Sequence, residues 1–169
     1  PVIGVVLLPE ANELWIGIVG EGAWCEDRQG QRSPVRFSPR TAVSDLILVA
    51  SRSHRDDRLV KLIAALGLGG SKAVGSVGYK VATILRGETD IYLSLSGRSA
   101  PKDWDMAAPE AVLLAAGGRF THADQTDLTY NTGDIRQAGC LIASHGKAHA
   151  ALGERATRAM AEIDPGFRV

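Results

Sequence analysis

The sequence reads as an α/β protein of layered sheets and helices, and three observations predict it. The first forty residues hold short apolar runs parted by tight turn signals, the pattern of an antiparallel meander. From Thr41 the rhythm changes to strand-like runs alternating with helical periodicity, the pattern of a sheet flanked by helices. With 169 residues, 45% of them hydrophobic and 22% charged, the chain is large and apolar enough to bury an ordinary core. Two stretches follow from this: 1–40, the last strands of one lobe, and 41–169, a second α/β lobe.

The meander comes first. Val2–Leu8 is a continuous apolar run that reads as a buried strand, closed by Pro9-Glu10-Ala11-Asn12. Glu13–Val19 alternates Leu14, Ile16 and Ile18 with Trp15 and Gly17, and Gly20-Glu21-Gly22 turns it into a third strand, Ala23–Glu26. Asp27–Arg40 is polar and reads as a hairpin and linker. Pro1 opens directly into a strand, so the chain is expected to be a C-terminal piece of a longer protein.

In the second stretch, Leu46–Ala50 is a short buried strand. Asp56–Leu66 is a helix with Leu59, Leu62, Ile63 and Leu66 on one face. Ser71–Val74 is a strand, Val77–Arg86 a helix, and Asp90–Leu95 a strand alternating Ile91, Leu93 and Leu95. Pro109 lacks an N–H and is most at home in a first helical turn, so the next helix is expected to start near Met106–Ala108, with Asp105 at its mouth. Ala108, Ala111, Val112 and Ala115 form its apolar stripe, small enough for a close approach, and Gly117-Gly118 stops it. Arg119–Thr121 and Gly139–Ala143 are strands around a polar hairpin region, Asp124–Thr132. Gly146–Ile163 is the last helix, followed by an extended tail, Asp164–Val169.

Global charge selects no polyanion: Lys+Arg and Asp+Glu are both 19, which argues against nucleic acid or an anionic membrane as partner. The longest apolar run is too short to span a bilayer, and the N-terminal run has no basic region ahead of it. The two cysteines, Cys25 and Cys140, lie far apart without CxxC spacing; this fits a reducing, cytoplasmic setting rather than a disulfide framework or a zinc site. A homodimer is compatible with the sequence, which does not specify one.

Three polar stretches fall at strand ends, where open α/β sheets take their ligands. Ser51-Arg52-Ser53-His54 offers hydroxyls, a guanidinium and an imidazole; it suits a phosphate, and equally a helix N-cap. Gly75-Ser76-Val77-Gly78-Tyr79-Lys80 feeds a helix N-terminus that attracts anions, although taken alone Lys80 is more simply a solvated lysine. Asp103-Trp104-Asp105 places two acids before a helix, with Trp104 wedged on the core and Asp103 solvated. Asp105 beside phosphate-seeking groups invites a divalent cation. His145 and His149 have metal-ligand spacing on the last helix but no third ligand nearby.

Trp104-Asp105-x-Ala107-Ala108, the apolar helix and Gly117-Gly118 resemble the second signature of the inositol monophosphatase superfamily of Mg²⁺-dependent phosphatases. Ser51-Arg52-Ser53-His54, Gly75–Lys80 and Asp164-Pro165-Gly166-Phe167-Arg168 are similar to its CysQ-like branch, the 3′(2′),5′-bisphosphate nucleotidases. The resemblance implies the sugar-phosphatase fold of that superfamily, with the C-terminal lobe complete and the N-terminal lobe truncated. It implies magnesium as cofactor and a small nucleotide bisphosphate as substrate, adenosine 3′,5′-bisphosphate being converted to AMP and phosphate. It makes Asp105 a metal ligand that also lines the substrate site, and Ser51, Arg52, Ser53, His54, Gly75, Ser76 and Lys80 substrate-binding. The superfamily's first signature, Asp-Pro-[Ile/Leu]-Asp-Gly-Thr, is missing, so these residues by themselves are expected to be catalytically incomplete. Two alternatives stand beside this reading: a lobe of an inositol monophosphatase or sugar-bisphosphate phosphatase, and a non-catalytic nucleotide-binding module.

Overall fold

A computed structural model describes residues 1–51, 57–96 and 100–167. The chain forms two sheets. The first is an antiparallel meander in the order β1-β2-β3-β4: β1 Ile3–Leu8, β2 Glu13–Ile18, β3 Gly22–Glu26 and a short β4 Arg32–Pro34. The second has the order β6-β5-β7-β9-β8: β5 Ile47–Ser51, β6 Gly70–Val74, β7 Ile91–Ser96, β8 Arg119–His122 and β9 Gly139–Ser144. In it β5, β6 and β7 run parallel, while β9 is antiparallel to both β7 and β8. The helices are α1 Asp57–Leu66, α2 Val77–Leu85, α3 Asp103–Ala115 and α4 His149–Ile163.

Strand alternation sorts the second sheet's side chains into two cores. Leu48, Ala50, Leu93, Cys140 and Ile142 point to α1 and α4, joining Leu59, Leu62, Leu152 and Met160. Val49, Tyr92, Leu141 and Ala143 point the other way, to Val81, Ile84, Leu85, Val112 and Leu113 of α2 and α3, and this cluster reaches Leu8 and Trp15 of the first sheet. The layers therefore run first sheet, α2 and α3, second sheet, α1 and α4.

The helix pair between the sheets lies against the first through glycine. Gly4 and Gly17 are directly paired on β1 and β2. A Cβ on Gly4 would stand 2.3 Å from the Ala108 carbonyl oxygen and 2.9 Å from Ala111 Cβ; one on Gly17 would stand 2.5 Å from Val112 Cα and 3.0 Å from Ala115 Cβ. The alanine stripe of α3 thus meets a two-glycine trough, the close approach its small side chains predict.

α3 begins earlier than Pro109 suggests. Asp103 opens it, so Pro109 lies inside the helix and Asp105 in its first turn. Pro109 leaves the Asp105 carbonyl without its i+4 amide. The first turn is held instead by contacts from outside it, described below. The C-terminal stop is as expected. Gly117 has φ +85°, its N–H donates to Leu114 O, and the Gly118 N–H donates to Leu113 O, a Schellman end.

Other expectations are corrected. The Val2–Leu8 run is not buried on both faces: Gly4 and Leu8 are buried while Ile3, Val5 and Leu7 are 61%, 54% and 62% exposed. The apolar run concealed an alternation, because both faces of the strand carry apolar side chains. The tail is not extended at its start; Phe167 N–H turns back to Asp164 O, and Arg58 pairs with Asp164 at 3.0 Å. His145 and His149 do not form a metal pair. His145 precedes α4 and faces Asp90 at 3.5 Å, while His149 Nε2 and Nδ1 are hydrogen-bonded to Thr121 Oγ1 (2.8 Å) and Ser144 Oγ (2.9 Å).

Asp90, fully buried at the start of β7, ties the linker to the second sheet. Arg40 Nε donates to it at 2.7 Å, the Ile47 amide donates at 2.6 Å, and the Ser38 hydroxyl donates to its other oxygen. A buried carboxylate is tolerated only with such partners.

Two outcomes test this packing. Gly17→Ala drives a methyl into the α3 backbone and is expected to destabilise the chain by about 1–3 kcal/mol, read as a lower urea midpoint. Burial lowers the His149 pKa to about 4. The unfolded chain therefore takes up a proton near pH 6.5 that the folded chain refuses. Stability should fall by up to about 3 kcal/mol as pH drops from 6.5 to 4, and His149→Gln should flatten that slope.

Candidate active site

Parallel strands share one direction, so their carboxyl ends lie along one edge. Ser51 closes β5 opposite Val74, the last residue of β6, and β7 ends on the same side at Ser96. The three polar stretches leave from these ends: Ser51 onward from β5, Gly75–Lys80 from β6, and the approach to α3 from β7. Sequence position alone separates them; the sheet gathers their starting points. Ser51 is half-buried. Arg52, Ser53 and His54 lie outside the described residues.

After β6, Gly75 leads into α2, and Ser76, exposed, caps it: its Oγ accepts the Tyr79 N–H at 3.2 Å. Ser is favoured there because its side chain satisfies an amide that the helix cannot. One turn on, Lys80 departs from the solvated lysine of the sequence reading. It is 4% exposed, and its ammonium lies 5.0 Å from the centre of the Tyr92 ring. Desolvation alone lowers its pKa to about 8; no carboxylate among the described residues forms an ion pair with it. At neutral pH it is still mostly a cation.

Tyr92 projects from β7 onto the same face. Burial raises its pKa; a hydrogen bond with Ser94 opposes the rise, and the nearby charge of Asp105 adds to it. Asp105 and Lys80 are thus the acidic and basic neighbours of one buried tyrosine. Sequence reasoning missed Tyr92 because, in the run Ile91-Tyr92-Leu93, it reads as plain strand core.

Asp105 is exposed in the first turn of α3. One carboxylate oxygen accepts the Lys102 amide at 2.9 Å, the backward reach of a helix-capping acid. The other oxygen accepts no hydrogen bond among the described residues. Both flanking readings are corrected. Trp104 is 68% exposed and does not wedge the loop. Asp103 is engaged, not solvated: its carboxylate accepts Gln137 Nε2 at 2.7 Å and the Asn131 amide at 3.2 Å, and its own N–H donates to Ile135 O at 2.9 Å. The segment between β8 and β9 therefore grips the mouth of α3. A second strut joins them, the Tyr130 hydroxyl donating to buried Glu110, whose pKa burial raises. A gripping segment of Gln137, Asn131 and Tyr130 has no signature in sequence, since its contacts span 20 to 34 residues.

For a divalent cation, Asp105 is the candidate ligand among these residues. Asp105 offers one carboxylate oxygen that takes no hydrogen bond among the described residues. No group of three or more His, Cys, Asp or Glu side chains comes together among the described residues. They fit one ligand of a metal site, not a whole one.

The family description "Inositol monophosphatase family" matches residues 1–161. The chain is 27% identical over 146 residues to 3′(2′),5′-bisphosphate nucleotidase 1 of Dictyostelium discoideum, covering 78% of this chain and 44% of that protein. It is 30% identical over 161 residues to inositol monophosphatase 3 of Xenopus laevis, covering 90% and 41%. Among solved structures, the inositol monophosphatase of Anabaena superposes with a TM-score of 0.72 at 26% identity, covering 98% of this chain and 61% of that one. The chain thus spans less than half the length of these two curated relatives. With its two sheets and interleaved helices it shares the fold of the Anabaena structure over the matched span, and it belongs to the inositol monophosphatase family.

Proposed function

We propose that this chain is the C-terminal lobe of a Mg²⁺-dependent phosphatase that removes the 3′-phosphate of adenosine 3′,5′-bisphosphate, leaving AMP. One observation carries the reading. Lys80 is a buried cation with no carboxylate paired to it among the described residues, one turn from the free amides of the α2 N-terminus. A buried ammonium of this kind favours an anion, and the helix N-terminus beside it favours a phosphate. Gly75 and Ser76 would offer backbone and hydroxyl donors to that phosphate. Ser51, Arg52, Ser53 and His54, leaving the neighbouring strand, would meet the nucleotide. The likeness to bisphosphate nucleotidases supports the substrate class.

Asp105 would hold magnesium together with ligands from polypeptide beyond these residues. Bound metal would polarise the phosphate and activate water. Residues 1–40 then complete the first lobe and 41–169 form the second. These residues alone would bind product without turning substrate over. The second reading, an inositol monophosphatase, is favoured by the match over 90% of the chain to inositol monophosphatase 3. The balanced charge of the molecule suits a small-molecule substrate, and we place the protein in the cytoplasm; among the described residues no helix is long and apolar enough to cross a membrane.

Titration calorimetry with AMP and Mg²⁺ should show AMP binding to this chain, weakened at least about tenfold by Lys80→Met. No binding to the folded chain, or equal binding to both, would overturn the phosphate role of Lys80. In the longer protein, adenosine bisphosphate should be turned over faster than inositol 1-phosphate, and Asp105→Asn should abolish metal-dependent turnover; near-normal activity would remove Asp105 from the site. The lysine also has a pH signature. Its folded pKa lies below its unfolded value, so stability should rise by up to about 3 kcal/mol as pH climbs from 8 to 10.5, and Lys80→Met should lose that rise.

A further inference from the structure

A lysine withdrawn from water needs a seat, and the seat of Lys80 is a ring. Lys80 is 4% exposed and Tyr92 3%, with the ammonium over the Tyr92 ring at 5.0 Å from its centre. An aromatic face attracts a cation at this range, and more strongly where both are desolvated. Charged groups on the elements around it are engaged elsewhere. Arg86 of α2 pairs with Glu13, and Glu110 of α3 accepts the Tyr130 hydroxyl. The charge of Asp105, in the first turn of α3, bears on Tyr92. Desolvation is the one influence on the ammonium itself.

Seat and cation are each fixed by backbone. Tyr92 is paired with Val49 of β5 on one side and Ala143 of β9 on the other. The Phe120 ring meets it edge-on, with 6.1 Å between centres and 84° between planes. Lys80 is held from its own side: its N–H donates to Ser76 O at 3.2 Å, and the buried Thr83 hydroxyl donates to its carbonyl at 2.7 Å. Burial raises the Tyr92 pKa, so the hydroxyl stays protonated and the ring brings no negative charge. This separates it from the usual partner of a lysine. A carboxylate in the same place would hold the ammonium by neutralising it, and would repel an incoming anion. The ring holds the ammonium and leaves its charge unspent.

We infer that Tyr92 is a positioning residue of the anion site: its ring face keeps Lys80 charged inside the core, with the ammonium N–H groups left for the phosphate of a phosphate monoester. The inference deepens the phosphate reading of Lys80 and rests on it. It assigns the role to the electrons of the ring and not to its bulk or its hydroxyl. Phenylalanine should therefore serve at this position, and an electron-poor ring of the same size should not.

Fluorine withdraws ring electrons at nearly constant volume, so the fold is kept while the seat is weakened. In the 169-residue chain, Tyr92→Phe should bind AMP as the parent does. Mono- and trifluorinated forms of that phenylalanine should bind it progressively more weakly, by about fivefold for the trifluoro form near pH 8. The sign follows from Lys80, whose pKa desolvation lowers to about 8. A weaker seat lowers it by about one unit more, so near pH 8 fewer molecules carry the ammonium. Near pH 6 most still carry it, and the affinities should converge. Nuclear magnetic resonance of isotope-labelled lysine, without AMP, should show the Lys80 midpoint falling along the same series. If Lys80→Met weakens AMP binding while fluorination leaves affinity and midpoint unchanged, the role of Tyr92 is overturned and the phosphate reading survives. A loss of equal size near pH 6 and pH 8 would also overturn it, because that is the mark of packing alone. If AMP fails to bind the folded chain, or binds Lys80→Met as well as the parent, both fall together.

Discussion

Everything in this molecule is arranged around a helix that has almost no room. α3 lies between two sheets and touches the first at backbone distance, where a single added methyl at Gly4 or Gly17 would overlap it. Close packing of this kind makes many small dispersion contacts and leaves no slack. It fixes the helix along the sheet and across it, since the glycine pair sits on two adjacent strands. The second sheet presses from the other side through Tyr92, Phe120 and Leu141. The carboxylate at the helix mouth is therefore referenced to both sheets at once.

The sheet edge does the rest of the gathering. Ser51, Gly75–Lys80 and Asp103–Asp105 are remote in sequence, and only parallel pairing of β5, β6 and β7 brings their starting points to one border. Of the groups there, Lys80 changes most between sequence and fold. In the chain it is a lysine in a helix; in the structure it is a cation withdrawn from water against a tyrosine ring. A charge in that position is expensive to keep without a counter-ion, and this is the ground on which a phosphate is proposed beside it.

Much of this was legible in the residues. Strand–helix alternation gave the second sheet and its helices within a few positions, because long apolar periodicities report burial directly. The alanine stripe announced a close contact and Gly117-Gly118 announced the stop. The rest was hidden for physical reasons. A proline placed α3 too late, because tertiary contacts can hold a turn that local hydrogen bonding does not. Val2–Leu8 read as buried, because apolar residues on both faces erase the alternation that would have exposed it. Asp103 read as solvated and Trp104 as core, since the partners that decide both come from elsewhere in the chain. Burial of Lys80 could not be seen from a helix whose neighbours are all long-range.

Pro109 gives the molecule a mechanical property beyond packing. It removes one rung of the hydrogen-bond ladder directly behind Asp105, so the first turn of α3 is tied less firmly to the rod that the sheets clamp. The Asp103–Gln137 hydrogen bond braces that turn against the segment between β8 and β9, and the Glu110–Tyr130 hydrogen bond ties the same segment to the rod beyond Pro109. The carboxylate is carried like the tip of a braced cantilever. Its height above the sheet edge is set by the clamp, and its side-to-side play by the braces.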